Sequence, residues 1–357
     1  MKVPTNALAS SAGRRRSDCW RFSKAWILCL FVLVLHGAPA KAQTVVLVGS
    51  GSSVPAPLYA RWTQEYNKRN PNIQVRYLPA GTSEGIKQIS HGAGDFGAGE
   101  APLTDKEREE NGLLEMPVVL VGIVPVYNLP AVHQELRLSG EVLAEIFLGD
   151  VKTWNAPQIA KLNPKIALPS VAIQVVNRGP GKGSNYVFTD FLSKTSLKFH
   201  SQVGVSASPK WPVGVPAERS SDMVDKVKNS PGSIGYVEYQ YAVKNNISQA
   251  AVLNLAGQFV KASPESISAA CKTVEVSRSN SLAASLVNAP GVDSFPIASF
   301  TWMYLRTKAA DPGRAAALAD FLDWIYTDGQ QFAAQEGYSE LPGPLLAAAR
   351  KKIKDLR

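Results

Sequence analysis

Short runs of apolar residues alternate with amphipathic stretches along most of the chain. Thr44 to Val48 is a β-branched run typical of a strand. Pro55 to Asn70 follows with Leu58, Trp62 and Tyr66 at four-residue spacing, which predicts a helix. The alternation continues towards the C-terminus without an internal repeat or a low-complexity segment. Strands and helices in this order predict an α/β fold.

The remaining predicted elements continue this pattern. Further strands are predicted at 73–78, 116–126, 171–176 and 295–305, and a strand followed by a turn at 233–241. Further helices are predicted at 83–90, 104–111, 139–148, 185–193, 221–228 and 315–326. The strand at 116–126 is continuously apolar, which is typical of a parallel strand buried on both faces. Ser139 stands where a helix N-cap is expected, and Thr104 with Glu107 has the pattern of a capping box.

Two long apolar strands, at 116–126 and 295–305, predict that the chain is divided into two lobes. We expect a first lobe formed by residues 43–118 and 296–357, a second lobe formed by residues 119–295, and two hinge crossings between them. Ligands of such sheets bind at the carboxyl ends of the strands, where helix N-termini converge.

The first 42 residues have the features of an export signal. A basic start with Arg14, Arg15 and Arg16 precedes an apolar run from Ala25 to Leu35, and Ala40-Lys41-Ala42 supplies a small-x-small cleavage pattern. The apolar run is short for a membrane span, so we expect cleavage after Ala42 and export, with an uncleaved anchor as the alternative. Of three cysteines only Cys271 lies beyond this leader, which excludes an internal disulfide in the predicted mature chain.

The leader also changes the charge argument. It holds seven Lys/Arg and one Asp, so +6 of the chain's net charge of +9 lies in it and only +3 remains. The excess of basic residues therefore gives no support to nucleic-acid binding. The histidines beyond the leader show no metal spacing, so neither a metal nor another cofactor is expected.

Four segments rich in small residues each stand between a strand pattern and a helix pattern. They are residues 49–53, 81–83, 95–105 and 178–184. Hydroxyl groups, free backbone N–H groups and Arg178, arriving from several such loops, are what a site for a tetrahedral oxyanion needs. Glu100, a lone carboxylate in a Gly- and Ala-rich turn, suits an anion that still carries a proton.

Other chemistries remain open at these segments. Residues 49–53 resemble the start of a dinucleotide fingerprint without its third glycine, and residues 178–184 lack the spacer of a P-loop. Gly81-Thr82-Ser83-Glu84-Gly85 satisfies the nucleophile-elbow pattern, so a hydrolase that uses Ser83 is the sharpest rival. No histidine stands in a late loop with polar support for a triad. The structural alternatives are plain turns and a surface ion pair of Arg178.

Motifs in a fixed order run through most of the predicted mature chain. They are Ser53-Val54-Pro55-Ala56-Pro57, Gly81-Thr82-Ser83, Asp95-Phe96-Gly97-Ala98, Lys161-Leu162-Asn163-Pro164, Val187-Phe188-Thr189, Lys210-Trp211-Pro212-Val213-Gly214, Gly235-Tyr236-Val237-Glu238-Tyr239 and Phe321-Leu322-Asp323-Trp324. With these motifs the chain resembles the periplasmic phosphate-binding proteins of bacterial ABC importers, the PstS-like family. The resemblance implies a two-lobe periplasmic binding protein fold of type II, whose cleft closes on dehydrated phosphate.

The resemblance also implies which groups bind the anion. They are Ser53, the Val54 N–H, Thr82, Glu100, Arg178, Lys182, the Gly183 N–H and Ser184. The chain departs from the family pattern at three places: the family has Asp at Glu100, Ser at Lys182 and an acidic residue near Pro180. Because an acid is lost and Lys182 is gained, we expect a more positive cleft.

The resemblance therefore implies an exported, monomeric protein that captures inorganic phosphate and delivers it to an ABC permease without catalysis. Glu100 accepts a proton from phosphate, whereas sulfate has none to give at neutral pH and leaves a buried acceptor facing a like charge. If Lys182 neutralises Glu100 instead, this selectivity weakens. Three alternatives remain: another oxyanion (arsenate, phosphite or a phosphonate), a hydrolase that uses Ser83, and a relative that works without a permease.

Overall fold

The computed structural model describes residues 44–274, 282, 284–308 and 311–354, so the predicted leader lies outside the described residues. Within them the backbone forms twelve strands. The strands are β1 (Val45–Gly51), β2 (Ile73–Pro79), β3 (Phe96–Gly99), β4 (Leu113–Tyr127), β5 (Arg137–Leu138), β6 (Gln174–Arg178), β7 (Val215–Ala217), β8 (Ser233–Glu238), β9 (Ser248–Gln249), β10 (Ala251–Leu253), β11 (Phe259–Val260) and β12 (Ala298–Arg306). Nine of them form one sheet in the order β2-β1-β3-β12-β4-β8-β6-β7, with β9 paired to β4, and β11-β10-β5 form a second, smaller sheet.

Thirteen α-helices accompany these strands in the described residues. The helices are α1 (Ala56–Arg69), α2 (Thr82–Ser90), α3 (Asp105–Glu109), α4 (Gly140–Leu148), α5 (Pro157–Leu162), α6 (Gly183–Thr195), α7 (Leu197–Gln202), α8 (Ser220–Asn229), α9 (Tyr239–Lys244), α10 (Pro264–Lys272), α11 (Pro312–Trp324), α12 (Gln330–Gln335) and α13 (Gly343–Ile353). A π-helical turn, Ile325–Gly329, joins α11 to α12. No helix in the described part of the chain is long and apolar enough to cross a membrane. The predicted α/β class is confirmed.

In each half of the large sheet, the strands that are followed by polar loops pair in parallel with neighbouring strands. β1 pairs in parallel with β2 and β3, and β6 pairs in parallel with β7 and β8. Because neighbouring parallel strands end at the same edge of a sheet, the loops that follow β1, β3 and β6 lie at carboxyl ends, as predicted. The anion-site residues predicted from the sequence therefore stand at the ends of strands and the starts of helices.

The strand β4 passes through both halves of the sheet. Its residues 113–122 pair with β12, whereas residues 123–127 pair with β8, and both pairings are antiparallel. The parallel direction predicted for this strand is therefore wrong. β4 is buried along its length apart from Leu114. A strand that is covered on both faces is apolar throughout, whether it pairs in parallel or antiparallel with its neighbours. The apolar pattern of β4 therefore predicts its burial but not the direction of its pairing.

The strand β12 brings the C-terminal part of the chain back into the first half of the sheet. It lies between β3 and β4 and is antiparallel to both. The half formed by β2, β1, β3 and β12 is called lobe I below, and the half formed by β8, β6 and β7 is called lobe II. β4 links the two lobes, as expected for a two-lobe periplasmic binding protein.

Local sequence determines where several helices start. Thr104 Oγ1 accepts a hydrogen bond from the Glu107 N–H (3.3 Å), and Glu107 Oε2 accepts one from the Thr104 N–H (2.7 Å), which confirms the predicted capping box. Ser139 Oγ accepts a hydrogen bond from the Val142 N–H (3.2 Å) and confirms the predicted N-cap of α4. These side chains satisfy N–H groups that have no partner inside the helix.

Candidate anion-binding site

Glu100 follows β3 directly, at the carboxyl end of the strand, and its side chain is fully buried. Its Oε2 atom accepts hydrogen bonds from Ser52 Oγ (2.6 Å) and Thr82 Oγ1 (3.3 Å). Its Oε1 atom accepts a hydrogen bond from Thr301 Oγ1 (2.9 Å). Ser52 follows β1, Thr82 begins α2 and Thr301 lies in β12. Hydroxyl groups from three elements therefore hold the carboxylate that is predicted to accept a proton.

Burial raises the pKa of Glu100 from its ordinary value of 4.5 to about 7. The hydrogen bonds from Ser52, Thr301 and Thr82 lower this pKa, whereas the negative charge of Glu238 raises it. Near neutral pH the Glu100 carboxyl group can therefore hold or release a proton. Such a group is suited to share a proton with a bound anion.

Arg178 ends β6 and is almost fully buried. Its backbone N–H donates a hydrogen bond to the Tyr236 hydroxyl (3.1 Å), and this hydroxyl donates to Asn185 Oδ1. Asn185 Nδ2 donates in turn to the Gly179 carbonyl (2.8 Å). These bonds hold the loop between β6 and α6 in place, so the backbone of Arg178 is positioned by buried contacts of lobe II.

The guanidinium group of Arg178 has donors that the described residues do not use. Its Nη2 atom lies 3.5 Å from Ser53 Oγ, whereas Nε and Nη1 are buried without a hydrogen-bond partner in the described part of the chain. An unsatisfied buried donor carries a desolvation cost, which is larger when the group is charged. Because the guanidinium fork matches two oxygens of one anion, these donors indicate an anion site beside Arg178.

The first turn of α6 lies beside Glu100. Ser184 is almost fully buried, and its hydroxyl has no hydrogen-bond partner among the described residues. Gly183 begins the helix, and a Cβ atom at this position would clash with Glu100 Oε2 and would lie 2.6 Å from Thr82 Oγ1. Glycine therefore permits the close approach of lobe II to lobe I. The N-terminus of α6 adds partial positive charge, which favours an anion.

Two further predicted ligand groups, the Val54 N–H and Lys182, also have protein partners in this structure. The Val54 N–H donates to Ser52 Oγ (3.1 Å) and so extends the chain of hydrogen bonds that ends at Glu100. Lys182 Nζ lies 3.8 Å from Glu218 Oε2, an exposed carboxylate that follows β7. The positive charge of Lys182 is thus partnered by Glu218 at the surface. The contacts of Val54 and Lys182 with an anion stay predictions.

The two lobes touch each other across this site. The Ser83 N–H of lobe I donates to the Gly181 carbonyl of lobe II (3.2 Å). Gln240 Nε2, which follows β8, donates to the Val54 carbonyl of lobe I (3.3 Å). The cleft is therefore closed, and its polar groups are shielded from water.

Sequence reasoning missed three residues of the site: Ser52, Thr301 and Glu238. Ser52 belongs to the cluster at 49–53, in which the resemblance assigns a role only to Ser53. Thr301 lies within an apolar strand, and only the position of β12 beside β3 brings it to Glu100. Glu238 ends β8, is fully buried and has no hydrogen-bond partner at either carboxylate oxygen in the described residues. Its motif, Gly235-Tyr236-Val237-Glu238-Tyr239, is one of those that carry the resemblance, but the resemblance assigns no role to the Glu238 carboxylate.

Ser83, the candidate nucleophile of the hydrolase alternative, is exposed. The Nδ1 atom of His91, which directly follows α2, makes its hydrogen bond with the Lys87 carbonyl (2.7 Å). The described hydrogen bonds connect no histidine to Ser83, so no base activates this hydroxyl group. The described residues also contain no cluster of His, Cys, Asp and Glu that could hold a metal ion.

Comparison with known proteins identifies the family. Residues 38–329 match the model of the PBP superfamily domain. The phosphate-binding protein PstS of Pasteurella multocida (strain Pm70) is 39% identical over 333 residues, which cover 93% of this chain and 96% of that protein. The chain belongs to the PstS family. Another PstS protein, from Methanocaldococcus jannaschii, is 31% identical over 314 residues, which cover 82% of this chain and 81% of that protein.

Solved structures share the fold of this member of the PstS family. A phosphate-binding protein from Stenotrophomonas maltophilia matches with a TM-score of 0.65 at 17% identity, covering 86% of this chain and 94% of that one. An ABC-type phosphate transport receptor from Vibrio cholerae matches with a TM-score of 0.57 at 18% identity, covering 83% and 100%. These matches confirm the two-lobe periplasmic binding protein fold. Members of the PstS family are substrate-binding proteins and not enzymes, which removes the hydrolase alternative at Ser83.

Proposed function

We propose that this chain captures inorganic phosphate between lobes I and II and delivers it to an ABC permease. The observation that carries the proposal is a set of unused donors beside a buried carboxylate. Arg178 Nε and Nη1 and Ser184 Oγ have no partner in the described residues, and the first turn of α6 lies against Glu100. Relatives of this chain are named for phosphate binding, which supports phosphate as the anion.

The proposed site combines groups from both lobes, so that closure surrounds the anion. Lobe I contributes Ser53, the Val54 N–H, Thr82 and Glu100, and lobe II contributes Arg178, Lys182, the Gly183 N–H and Ser184. Hydrogen bonds between these groups and the anion replace the water that the anion loses when the cleft closes. Ser52 and Thr301 act on the anion through Glu100, because their hydroxyl groups hold its carboxylate.

Glu100 supplies the selectivity of the proposed site. Its carboxylate accepts a hydrogen bond from a protonated phosphate oxygen, whereas fully ionised sulfate offers no proton and faces it with a like charge. The pairing of Lys182 with Glu218 supports this role, because the lysine charge then lies beside another carboxylate. The alternative in which Lys182 neutralises Glu100 has no corresponding contact in the described residues.

The proposed place of action is the periplasm, where the protein works as a monomer that docks on the permease and does not bind nucleic acid. The predicted leader of residues 1–42 supports export. Its cleavage would leave residues 43–357, and the described part of this range forms one compact unit.

The lobe boundaries at 118/119 and 295/296 remain part of the proposal. They are supported by the strand β4, where Gly122 pairs with Ala298 of β12 and Ile123 pairs with Glu238 of β8. The change of partner lies within a few residues of the first proposed crossing, and β12 begins just after the second. Closure of the cleft would then bend β4 near Gly122.

Calorimetric titration of residues 43–357, stripped of bound anion, tests the proposal. Tight binding of phosphate without heat from sulfate is the expected result. No phosphate binding, or equal binding of the two anions, would overturn it. Arsenate and phosphite are titrated in parallel, because the departures at Glu100, Pro180 and Lys182 favour another oxyanion as the alternative ligand. Stronger binding of one of these anions than of phosphate would establish that alternative.

A further inference from the structure

The strand β2 forms one free edge of the large sheet. It pairs in parallel with β1 on one side, and no strand of the described residues pairs with it on the other. The Val45 N–H of β1 donates to the Asn72 carbonyl, so the even-numbered backbone groups of this segment point towards β1. Because successive residues of a strand bond to alternate sides, the odd-numbered residues from Ile73 to Pro79 point towards the free edge. Such an edge is a template for pairing with another chain.

Asn67, in the last turn of α1, occupies the middle of this edge. Its Nδ2 atom donates a hydrogen bond to the Val75 carbonyl (3.2 Å), and its Oδ1 atom accepts one from the Val75 N–H (2.8 Å). A neighbouring strand would bind the same two backbone groups. The side-chain amide of Asn67 therefore takes the place of a strand at Val75, since it supplies both a donor and an acceptor.

The other donors of this edge are largely removed as well. The Ile73 N–H donates to the Asn70 carbonyl (2.9 Å), and Pro79 has no N–H group to donate. Among the described residues, Tyr77 is the only edge-facing residue of β2 whose N–H group has no hydrogen-bond partner. Asn67 therefore decides whether the edge offers one isolated donor, at Tyr77, or two in succession, at Val75 and Tyr77.

The sequence of β2 is complementary to a second copy of itself. When two β2 edges meet antiparallel about Val75, each Val75 N–H meets the Val75 carbonyl of the other copy, which gives a pair with two hydrogen bonds. The exposed side chain of Gln74 then stands opposite the exposed Arg76 of the other copy, so no like charges face each other. Such a contact uses the same surface on both chains and closes as a dimer. A second copy of the chain is therefore the partner that this edge fits.

We infer that Asn67 keeps the protein monomeric by blocking the pairing of β2 with β2 of a second copy of this chain. The inference goes beyond the proposed capture of phosphate and does not depend on the anion in the cleft. The donor and the acceptor that Val75 turns outward are used within the chain, so they are not offered to a second one. Removal of the Asn67 amide frees both groups at once.

The test is the oligomeric state of Asn67→Ala. Without the amide group the Val75 N–H and carbonyl are free to pair, so we expect self-association at least about tenfold stronger than that of the parent. Sedimentation equilibrium over a range of protein concentrations measures it. Addition of Gln74→Lys to Asn67→Ala is expected to restore the monomer, because each introduced lysine stands opposite Arg76 of the other copy.

Asn128→Ala is the matched control. Asn128 follows β4, which has neighbouring strands on both sides, and its Nδ2 atom donates to the carbonyls of Val227 (3.1 Å) and Lys228 (2.8 Å). This variant also loses two hydrogen bonds between a side chain and the backbone, but it frees no strand edge, so it is expected to remain monomeric. Thermal unfolding of each variant shows whether it is folded.

A measurement on the parent decides the matter if Asn67→Ala does not fold. Amide hydrogen exchange in the parent is expected to be at least about tenfold slower at Val75 than at Tyr77, because Asn67 holds the Val75 N–H whereas the Tyr77 N–H is unpaired. Equal exchange rates at the two positions would mean that Asn67 does not block the edge, and the inference would be overturned.

The outcomes for Asn67→Ala are equally decisive. A variant that stays monomeric at all concentrations would overturn the inference, as would a parent that self-associates as strongly as the variant. A dimer of Asn67→Ala that persists after the addition of Gln74→Lys would place the contact on another surface and overturn it as well. Failure of the parent to bind phosphate would instead overturn the proposed function and leave this inference standing.

Discussion

Gly183 and Glu100 come so close together that no side chain fits between them. Gly183 begins α6 in lobe II, and Glu100 follows β3 in lobe I. A Cβ atom on Gly183 would clash with Glu100 Oε2 and stand 2.6 Å from Thr82 Oγ1. The closed cleft therefore depends on the absence of a side chain at position 183. A single substitution there is expected to prevent closure without preventing folding.

Gly183→Ala is expected to weaken phosphate binding by roughly ten- to hundredfold while the protein stays folded, because the methyl group keeps the lobes apart. The matched control is Gly343→Ala, at the start of α13, where an added Cβ atom meets nothing within 4 Å. Calorimetry measures the affinity, and small-angle scattering with phosphate shows whether the cleft closes. Unchanged affinity of Gly183→Ala would show that the closed contact does not contribute to binding.

Glu100→Gln is expected to reduce the discrimination of phosphate against sulfate by at least about tenfold. The amide group is uncharged and can donate a hydrogen bond to an unprotonated oxygen, so sulfate is no longer repelled. Competition of sulfate with labelled phosphate at neutral pH measures the change, with Glu145→Gln as the control. A Glu100→Gln protein that binds both anions as the parent does would remove Glu100 from the selectivity argument.

The stability of the anion-free protein is expected to depend on pH through Glu100. Its pKa is about 7 in the folded protein against 4.5 ordinarily, so its contribution is fully present below about pH 4.5 and is lost as the pH rises through about 7. Relative to Glu100→Gln, the parent is expected to lose about 3 kcal/mol of unfolding free energy over this interval. Urea unfolding across the interval measures the loss, with Glu109→Gln as an exposed control. If the unfolding free energies of the parent and Glu100→Gln changed equally with pH, the raised pKa of Glu100 would be contradicted.

Arg178→Lys is expected to weaken phosphate binding by roughly ten- to hundredfold although the positive charge is retained. An ammonium group cannot present the planar fork that matches two oxygens of one anion. Arg219→Lys is the control, because Arg219 lies at the surface beside Asp222. Calorimetry of both variants measures the effect. Equal affinities of Arg178→Lys and the parent would show that charge alone, without the fork, binds the anion.

Local features were predictable because neighbouring residues determine them. The α1 helix, the capping box at Thr104, the N-cap at Ser139 and the polar loops at 49–53 and 178–184 all follow from short patterns. Helix periodicity and N-cap chemistry act within a few residues, so they can be seen in the sequence.

Features that join distant segments were not predictable in the same way. Thr301 and Glu100 are 201 residues apart, and their contact depends on the insertion of β12 between β3 and β4. The direction in which β4 pairs is set by its partner strands. Because β4 is buried on both faces, its apolar sequence does not show whether the pairing is parallel or antiparallel. The small sheet of β5, β10 and β11 has strands of two or three residues, too short for a detectable alternation.

The insertion of β12 has a consequence for the order in which the protein can acquire its structure during synthesis. A nascent chain that ends before residue 298 holds every loop of the candidate site, yet it lacks the strand that joins β3 to β4. Lobe II can assemble early from contiguous sequence, whereas lobe I must wait for a segment translated after all of lobe II. The final strand also carries Thr301, so the carboxylate of Glu100 gains its third hydroxyl partner only when the sheet is complete.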